Sequence, residues 1–139
     1  MTSMDLFSTI GKAVVALAST TNTTNTTVSG ATIDTLGYES LMILYKSGAY
    51  TNGTNTPNVQ ESDDDTTWTE LPADQVTGGT EVGAALAAAN IVKRLGVNSK
   101  KRYVRVQSVS TGTSAAGHEV SAIAVLGHPT STIYTPTAQ

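Results

Sequence analysis

Apolar and polar residues alternate over short stretches along most of this chain, and turn-forming residues separate the stretches. In RYVRVQSV, residues 102–109, Tyr103, Arg105 and Gln107 share one side and Arg102 and Val104 the other, which is the period of a strand. Residues 31–35 form a short strand, with Asp34 and Gly37 bracketing a turn. Residues 38–46, YESLMILYK, hold Leu41, Met42, Ile43 and Leu44 in an unbroken run, which predicts a central strand covered on both sides. Residues 59–62 and 67–71 pair around Asp63, Asp64, Asp65 and Thr66, whose chemistry suits a hairpin turn. Residues 91–95 and 102–110 read as a second antiparallel pair joined by 96–101. Residues 119–126, EVSAIAVL, are the last buried strand, ended by Gly127, His128 and Pro129. Residues 48–57 and 111–117 are loops. Residues 78–90 suit a short Ala-rich helix or an irregular packed segment about equally. About eight strands, with turns roughly every 8 to 15 residues, predict an all-β fold, an antiparallel β-sandwich or jelly roll.

The first 27 residues read differently. Leu6, Phe7, Ile10, Ala13, Val14 and Leu17 fit one face of a helix, and Ser3 could cap it. Gly11 and the β-branched Val14 and Val15 oppose that reading, and its rival makes residues 13–18 a strand. Residues 19–27, STTNTTNTT, are polar and of low complexity, as in an extended connector. The expected organisation is an N-terminal arm and Thr/Asn-rich tether over 1–27, a sandwich over 28–129 and a polar tail over 130–139. The arm's apolar residues, Leu6, Phe7, Ile10, Val14 and Leu17, are expected to contact a partner or another copy.

Composition narrows the function. At 139 residues and 14.3 kDa the chain suits one domain with a real core. Charged residues make up only 14 %, while 24 Thr and 13 Ser fill the gap. Thr is β-branched and tolerates water on an outer sheet face. With no Cys there is no disulfide framework and no thiolate chemistry. The net charge of −3 argues against a nucleic-acid binder. No apolar run approaches ~18 residues, so no membrane span is expected. Residues 1–17 make a poor secretory signal, and the chain is expected to be made inside the cell.

The charges cluster. Glu61, Asp63, Asp64, Asp65, Glu70 and Asp74 are six of the eleven acids within fourteen residues. Consecutive Asp oxygens can bind Ca²⁺, but the spacing is not that of an EF-hand, and a solvated hairpin tip is the stronger reading. Lys93, Arg94, Lys100, Lys101, Arg102 and Arg105 are six of the eight bases within thirteen residues. This basic hairpin is expected to meet an acidic partner surface or the acidic hairpin of a neighbouring copy, Asp63 to Asp65.

Catalytic patterns are thin. There is no G-x-S-x-G elbow, Walker loop or G-x-G-x-x-G. His118 and His128 flank the last strand, ~33 Å apart if extended, too far to share a metal. No enzyme activity and no cofactor are expected. Trp68 and Tyr103 are expected to anchor the core, although strand aromatics on an open face could also stack on sugars. The N-x-T motifs in 22–27 and 52–56 would be glycosylated only in a secretory pathway.

Three strings carry a family resemblance: an Ile-Asp-Thr-x-Gly-Tyr entry at 33–38, a Gln-Glu-Ser-Asp-Asp-x-x-x-Trp hairpin at 60–68 and a Lys-Arg-Tyr-Val-Arg strand at 101–105. With AIAVLGHP they span about residues 31–129, and in this order the chain resembles small structural proteins of tailed bacteriophages. It departs from that pattern at Asp65, where Gly is expected, and over 83–89. The resemblance implies a β-sandwich virion component and no catalytic residues. The expected role is a capsid decoration (cement) protein on the mature head. It would act as a homo-oligomer, with a trimer favoured, and bind the major capsid protein or other virion proteins. Head-tail completion, a tail position and a carbohydrate-binding module for host attachment are the alternatives.

Overall fold

The alternation over residues 103–111 is realised as a strand in which Val104, Val106, Ser108 and Ser110 are buried and Tyr103, Arg105 and Gln107 reach the other side. A computed structural model of the chain describes residues 9–77, 86–114 and 117–130. Among the described residues there are ten strands: β1 (Ile10–Asn22), β2 (Thr27–Ser29), β3 (Ile33–Asp34), β4 (Tyr38–Tyr50), β5 (Thr54–Ser62), β6 (Thr69–Glu70), β7 (Val76–Thr77), β8 (Val92–Val97), β9 (Tyr103–Thr111) and β10 (His118–Pro129). A 3-10 turn, Ala73–Gln75, precedes β7. Every pairing between these strands is antiparallel. One sheet runs β1-β10-β4-β8-β7, and the other runs β2-β9-β5-β6 with β3 also on β9. The expected sandwich class holds.

The core lies between the sheets. Leu17, Leu41, Ile43, Tyr45, Leu95, Val120, Ala122, Ala124 and Leu126 line it from the first sheet. Ile33, Val59, Val104 and Val106 line it from the second. Among the described residues the largest fully buried side chain is Tyr45, in the middle of β4.

Several expectations are corrected. Residues 10–22 are a strand of the sandwich, paired with β10 along their length, and belong to the body. The register shifts between Ile10 and Lys12, Val15 and Leu17, and Leu17 and Thr20. Each bulge resets the period of two, so Ile10, Val14 and Leu17 mimic helical spacing while Ala16 and Leu17, adjacent in sequence, are both buried. Leu17 is therefore core, and Val14 packs partly against that core. Leu6 and Phe7 lie outside the described residues, as do 78–85 and 131–139.

The stretches 91–95 and 102–110 do not form a hairpin. They are β8 and β9, on different sheets, and the segment between them crosses from one sheet to the other. The run Leu41 to Leu44 is central, between β10 and β8, but only Leu41 and Ile43 face the core, whereas Met42 and Leu44 are half-buried on the outer face. Trp68 and Tyr103 are half-buried on the outside of the second sheet and do not anchor the core.

Where the chain passes from β2 to β3 it ties the sheets together. The Gly30 N–H donates to the Val106 carbonyl and the Ala31 N–H to the Ala16 carbonyl, both at 2.8 Å.

Candidate functional site

The charged clusters meet at one end of the sandwich. The β5–β6 hairpin turn is built on Asp64, whose carboxylate accepts hydrogen bonds from the Thr67 N–H, then the Thr66 N–H, and from the Ser62 hydroxyl. These donors hold the Asp64 carboxyl well below the usual carboxylate range. Asp65 takes a left-handed backbone with φ of 59°, as a short polar residue can, and accepts a bond from the Thr32 hydroxyl at 2.7 Å. This is the expected hairpin tip, with Asp64's oxygens engaged by the turn itself. Among the described residues, no group of three or more His, Asp or Glu side chains is placed to hold a metal ion.

The crossing segment before β9 lies against this turn. Lys101 Nζ is 3.6 Å from Asp63 and also reaches the Thr69 hydroxyl. The Ser99 hydroxyl donates to Glu61 at 2.7 Å. Arg102 makes a two-point pair with Asp34, and the Thr35 hydroxyl donates to the Arg102 carbonyl. Two of the bases, Lys101 and Arg102, thus find acids within their own chain.

The basic residues do not share a face. Lys93 sits opposite Tyr45 on the inner row of the first sheet and is 9 % exposed, which corrects its expected place in an outward contact. Arg94 points to the outer face of the same sheet, and Lys100 is exposed on the crossing segment. Alternation separates neighbours in a strand, so a run of bases in sequence is not a patch in space.

The outer faces of the two sheets differ. On the first sheet, Val15, Ile123 and Leu44 form one cross-strand row and Ala13, Val125 and Met42 the next. Val15 and Ile123 are 60 % and 49 % exposed, so this is an apolar strip open to water. It runs into a shallow depression of about 250 Å³ lined by Thr9, Ile10, Met42, Val125 and His128. The sequence signal was present in the unbroken run of β4, but a continuous apolar strand does not say whether anything covers its second face. On the second sheet the outer face is polar. Gln60 and Arg105 lie opposite each other, as do Asn58 and Gln107. Trp68 folds over this face, with the Arg105 guanidinium 4.3 Å from its ring centroid, and Arg102 lies 5.0 Å from the ring centroid of Tyr103.

Both histidines are held locally. Buried His118 donates from Nδ1 to the Asn52 carbonyl at 3.1 Å and stacks on Tyr50. His128 contacts the Ser40 hydroxyl at 2.9 Å. Between the sheets, the Tyr45 hydroxyl donates to Asn55, whose amide donates to Ser108 and Ser110. Burial pushes the Tyr45 hydroxyl up to about 12. Nothing in the sequence flagged this network, because Tyr45 and Asn55 are joined only by the packing of one sheet on the other.

No protein-family model matches the chain, and no curated protein does. The two-sheet antiparallel sandwich defined above does recur among solved structures. The chain is similar to the crystal structure of the PBSX exported protein XepA, with a TM-score of 0.56 and 20 % sequence identity. The likeness covers 93 % of this chain and 41 % of that one, so the chain spans less than half the length of its structural neighbour.

Proposed function

We propose that this chain is a structural, non-enzymatic component of a bacteriophage particle, and specifically a decoration protein of the capsid surface. The observation that carries the reading is the fold likeness to the PBSX exported protein XepA over nearly the whole of this chain. The motif order at 33–38, 60–68 and 101–105 supports it independently. The apolar strip through Val15, Ile123 and Leu44 supports assembly, since open apolar faces of this kind mark contact surfaces. We assign the strip to contact with neighbouring copies in a homo-oligomer, a trimer being favoured. Many weak contacts repeated over a capsid would then add up to firm attachment.

The test uses particles induced from cells that encode the chain, with and without its gene. Purified chain added to particles that lack it is expected to co-sediment with heads at fixed stoichiometry and to raise the temperature at which heads rupture. Sedimentation with tails alone would move the chain to the tail alternative, and sedimentation with neither would end the virion reading. The carbohydrate-binding alternative is less favoured because Trp68 and Tyr103 each already carry a guanidinium over one ring face.

A further inference from the structure

Arg105 is held as a rigid fork on the outer face of the second sheet. Its Nε donates to Gln60 Oε1 at 2.8 Å, and its guanidinium lies over the Trp68 ring. Two of the side chain's freedoms are thereby spent inside the protein, while its terminal N–H groups have no partner among the described residues. The ion pairs found there are Lys101 with Asp63 and Arg102 with Asp34, and neither involves Arg105. Gln60 stands between Arg105 and Glu70 in one cross-strand row, so Arg105 is not ion-paired to the acid two strands away.

We infer that Arg105, stacked on Trp68, is an anchor for a carboxylate on a partner protein. A planar guanidinium already immobilised by stacking loses little further entropy when it binds a planar anion through two parallel N–H groups. The surroundings select the anion's source. Asp63, Asp64, Asp65 and Glu70 lie on the same hairpin as Trp68, and the chain carries a net charge of −3. A polyphosphate strand laid across this face would meet those carboxylates, whereas a single acidic side chain need meet only the fork. The inference does not depend on which particle the chain belongs to.

Trp68 is the only tryptophan, so its fluorescence reports on the stack directly. The probe is a blocked Gly-Glu-Gly peptide, which carries a single carboxylate, with blocked Gly-Gln-Gly as the neutral control, titrated at low salt. The Arg105 Nε–Hε resonance, followed by NMR, is the second readout. The Glu peptide is expected to give a saturable change in both signals, and the Gln peptide none. Arg105→Gln, checked to melt like the parent, is expected to weaken binding at least about tenfold. Arg94→Gln, on the outer face of the other sheet, is expected to leave it unchanged. The inference is overturned if Arg105→Gln binds as the parent does, if Arg94→Gln weakens binding equally, or if no peptide binds. It is also overturned if inorganic phosphate or a short single-stranded oligonucleotide binds tighter than the Glu peptide.

Discussion

Arg102 and Asp34 are joined at two points, Nε to Oδ1 at 3.0 Å and Nη2 to Oδ2 at 2.8 Å. The pair clips β3 to the start of β9, next to the place where Lys101 meets Asp63. Sixty-eight positions apart in sequence, these partners neutralise one base of the basic cluster with an acid from outside the acidic one, and Lys101 with Asp63 joins the two clusters directly. Charge that remains for outside contact lies instead at Arg105, Arg94 and Lys100.

Acid is expected to weaken the fold in a defined window. Hydrogen bonds from Arg102, followed by the Leu36 N–H, hold the Asp34 carboxyl at about 2 against an ordinary value of 3.8. Asp64 and Glu119 are lowered too, Glu119 first by the Ser19 hydroxyl and then by the Ala49 N–H. A folded value below the unfolded one means that the unfolded chain takes up protons first as pH falls. Stability from these groups is therefore complete above about pH 5 and drains away toward pH 2. Melting curves should be level from about pH 7 to 5 and fall below that. Asp34→Asn should melt lower than the parent at neutral pH and converge with it near pH 2. A gap as wide at pH 2 as at neutral pH would contradict the assignment.

The Tyr45 hydroxyl and Asn55 make the case for a polar bond inside an apolar core. Tyr45→Phe keeps the ring but leaves the Asn55 carbonyl oxygen buried without its donor. An orphaned buried acceptor costs about 1–3 kcal/mol, more than the bond itself contributes. Urea unfolding should show that loss with an unchanged denaturant slope. Replacing Asn55 by Leu in the same background should restore less than the full amount, because Ser108 and Ser110 then lose their amide donor.

Trp68 offers a sharp contrast with the core. Trp68→Ala should cost roughly 1 kcal/mol, since the ring lies on the outer face and half in water. Leu95→Ala, at a position only 1 % exposed, should cost about 2–5 kcal/mol. Chemical denaturation of the two variants side by side decides the order. A larger loss at Trp68 would return it to the core role that its size suggests.

The class of fold was legible because strand alternation is local. β9 and β10 follow the expected strands at 102–110 and 119–126 closely, whereas β4 runs on to Tyr50 and β5 begins at Thr54, inside the stretch 48–57 that its Asn, Gly and Thr content marks as a loop. What was not legible depends on partners distant in sequence. β1 imitates a helix because three register shifts against β10 break its period of two, and such shifts leave no mark in composition. The crossing between β8 and β9 looks like a hairpin because its length and polarity suit either, and only the packing of two sheets decides. Trp68 reads as core because size predicts burial on average, while its stacking on Arg105 needs the connection between β5 and β6 to fold over β9. The apolar strip was hinted at by Met42 and Leu44, whose neighbours Val125 and Ile123 arrive from the far end of the chain.

Gly30 gives the cleanest test of how the two sheets are tied. Its backbone passes between β1 and β9, and a Cβ placed there would lie 2.1 Å from the Ala16 carbonyl oxygen and 2.7 Å from that of Val106. Both are backbone atoms of paired strands, so neither can swing aside as a side-chain tip would. Two effects compete in Gly30→Ala. The unfolded chain loses freedom, which would stabilise by about 0.4–1 kcal/mol where the site has room. The overlap acts the other way, and its relief would pull apart the Gly30–Val106 and Ala31–Ala16 hydrogen bonds. With two bonds of about 1 kcal/mol each at stake, the overlap wins, and a net loss above about 1 kcal/mol is expected. Amide exchange should then quicken at Gly30 and Ala31 before the centre of β10 responds. A variant as stable as the parent, with protection unchanged at both amides, would mean that the sheets do not meet through this glycine.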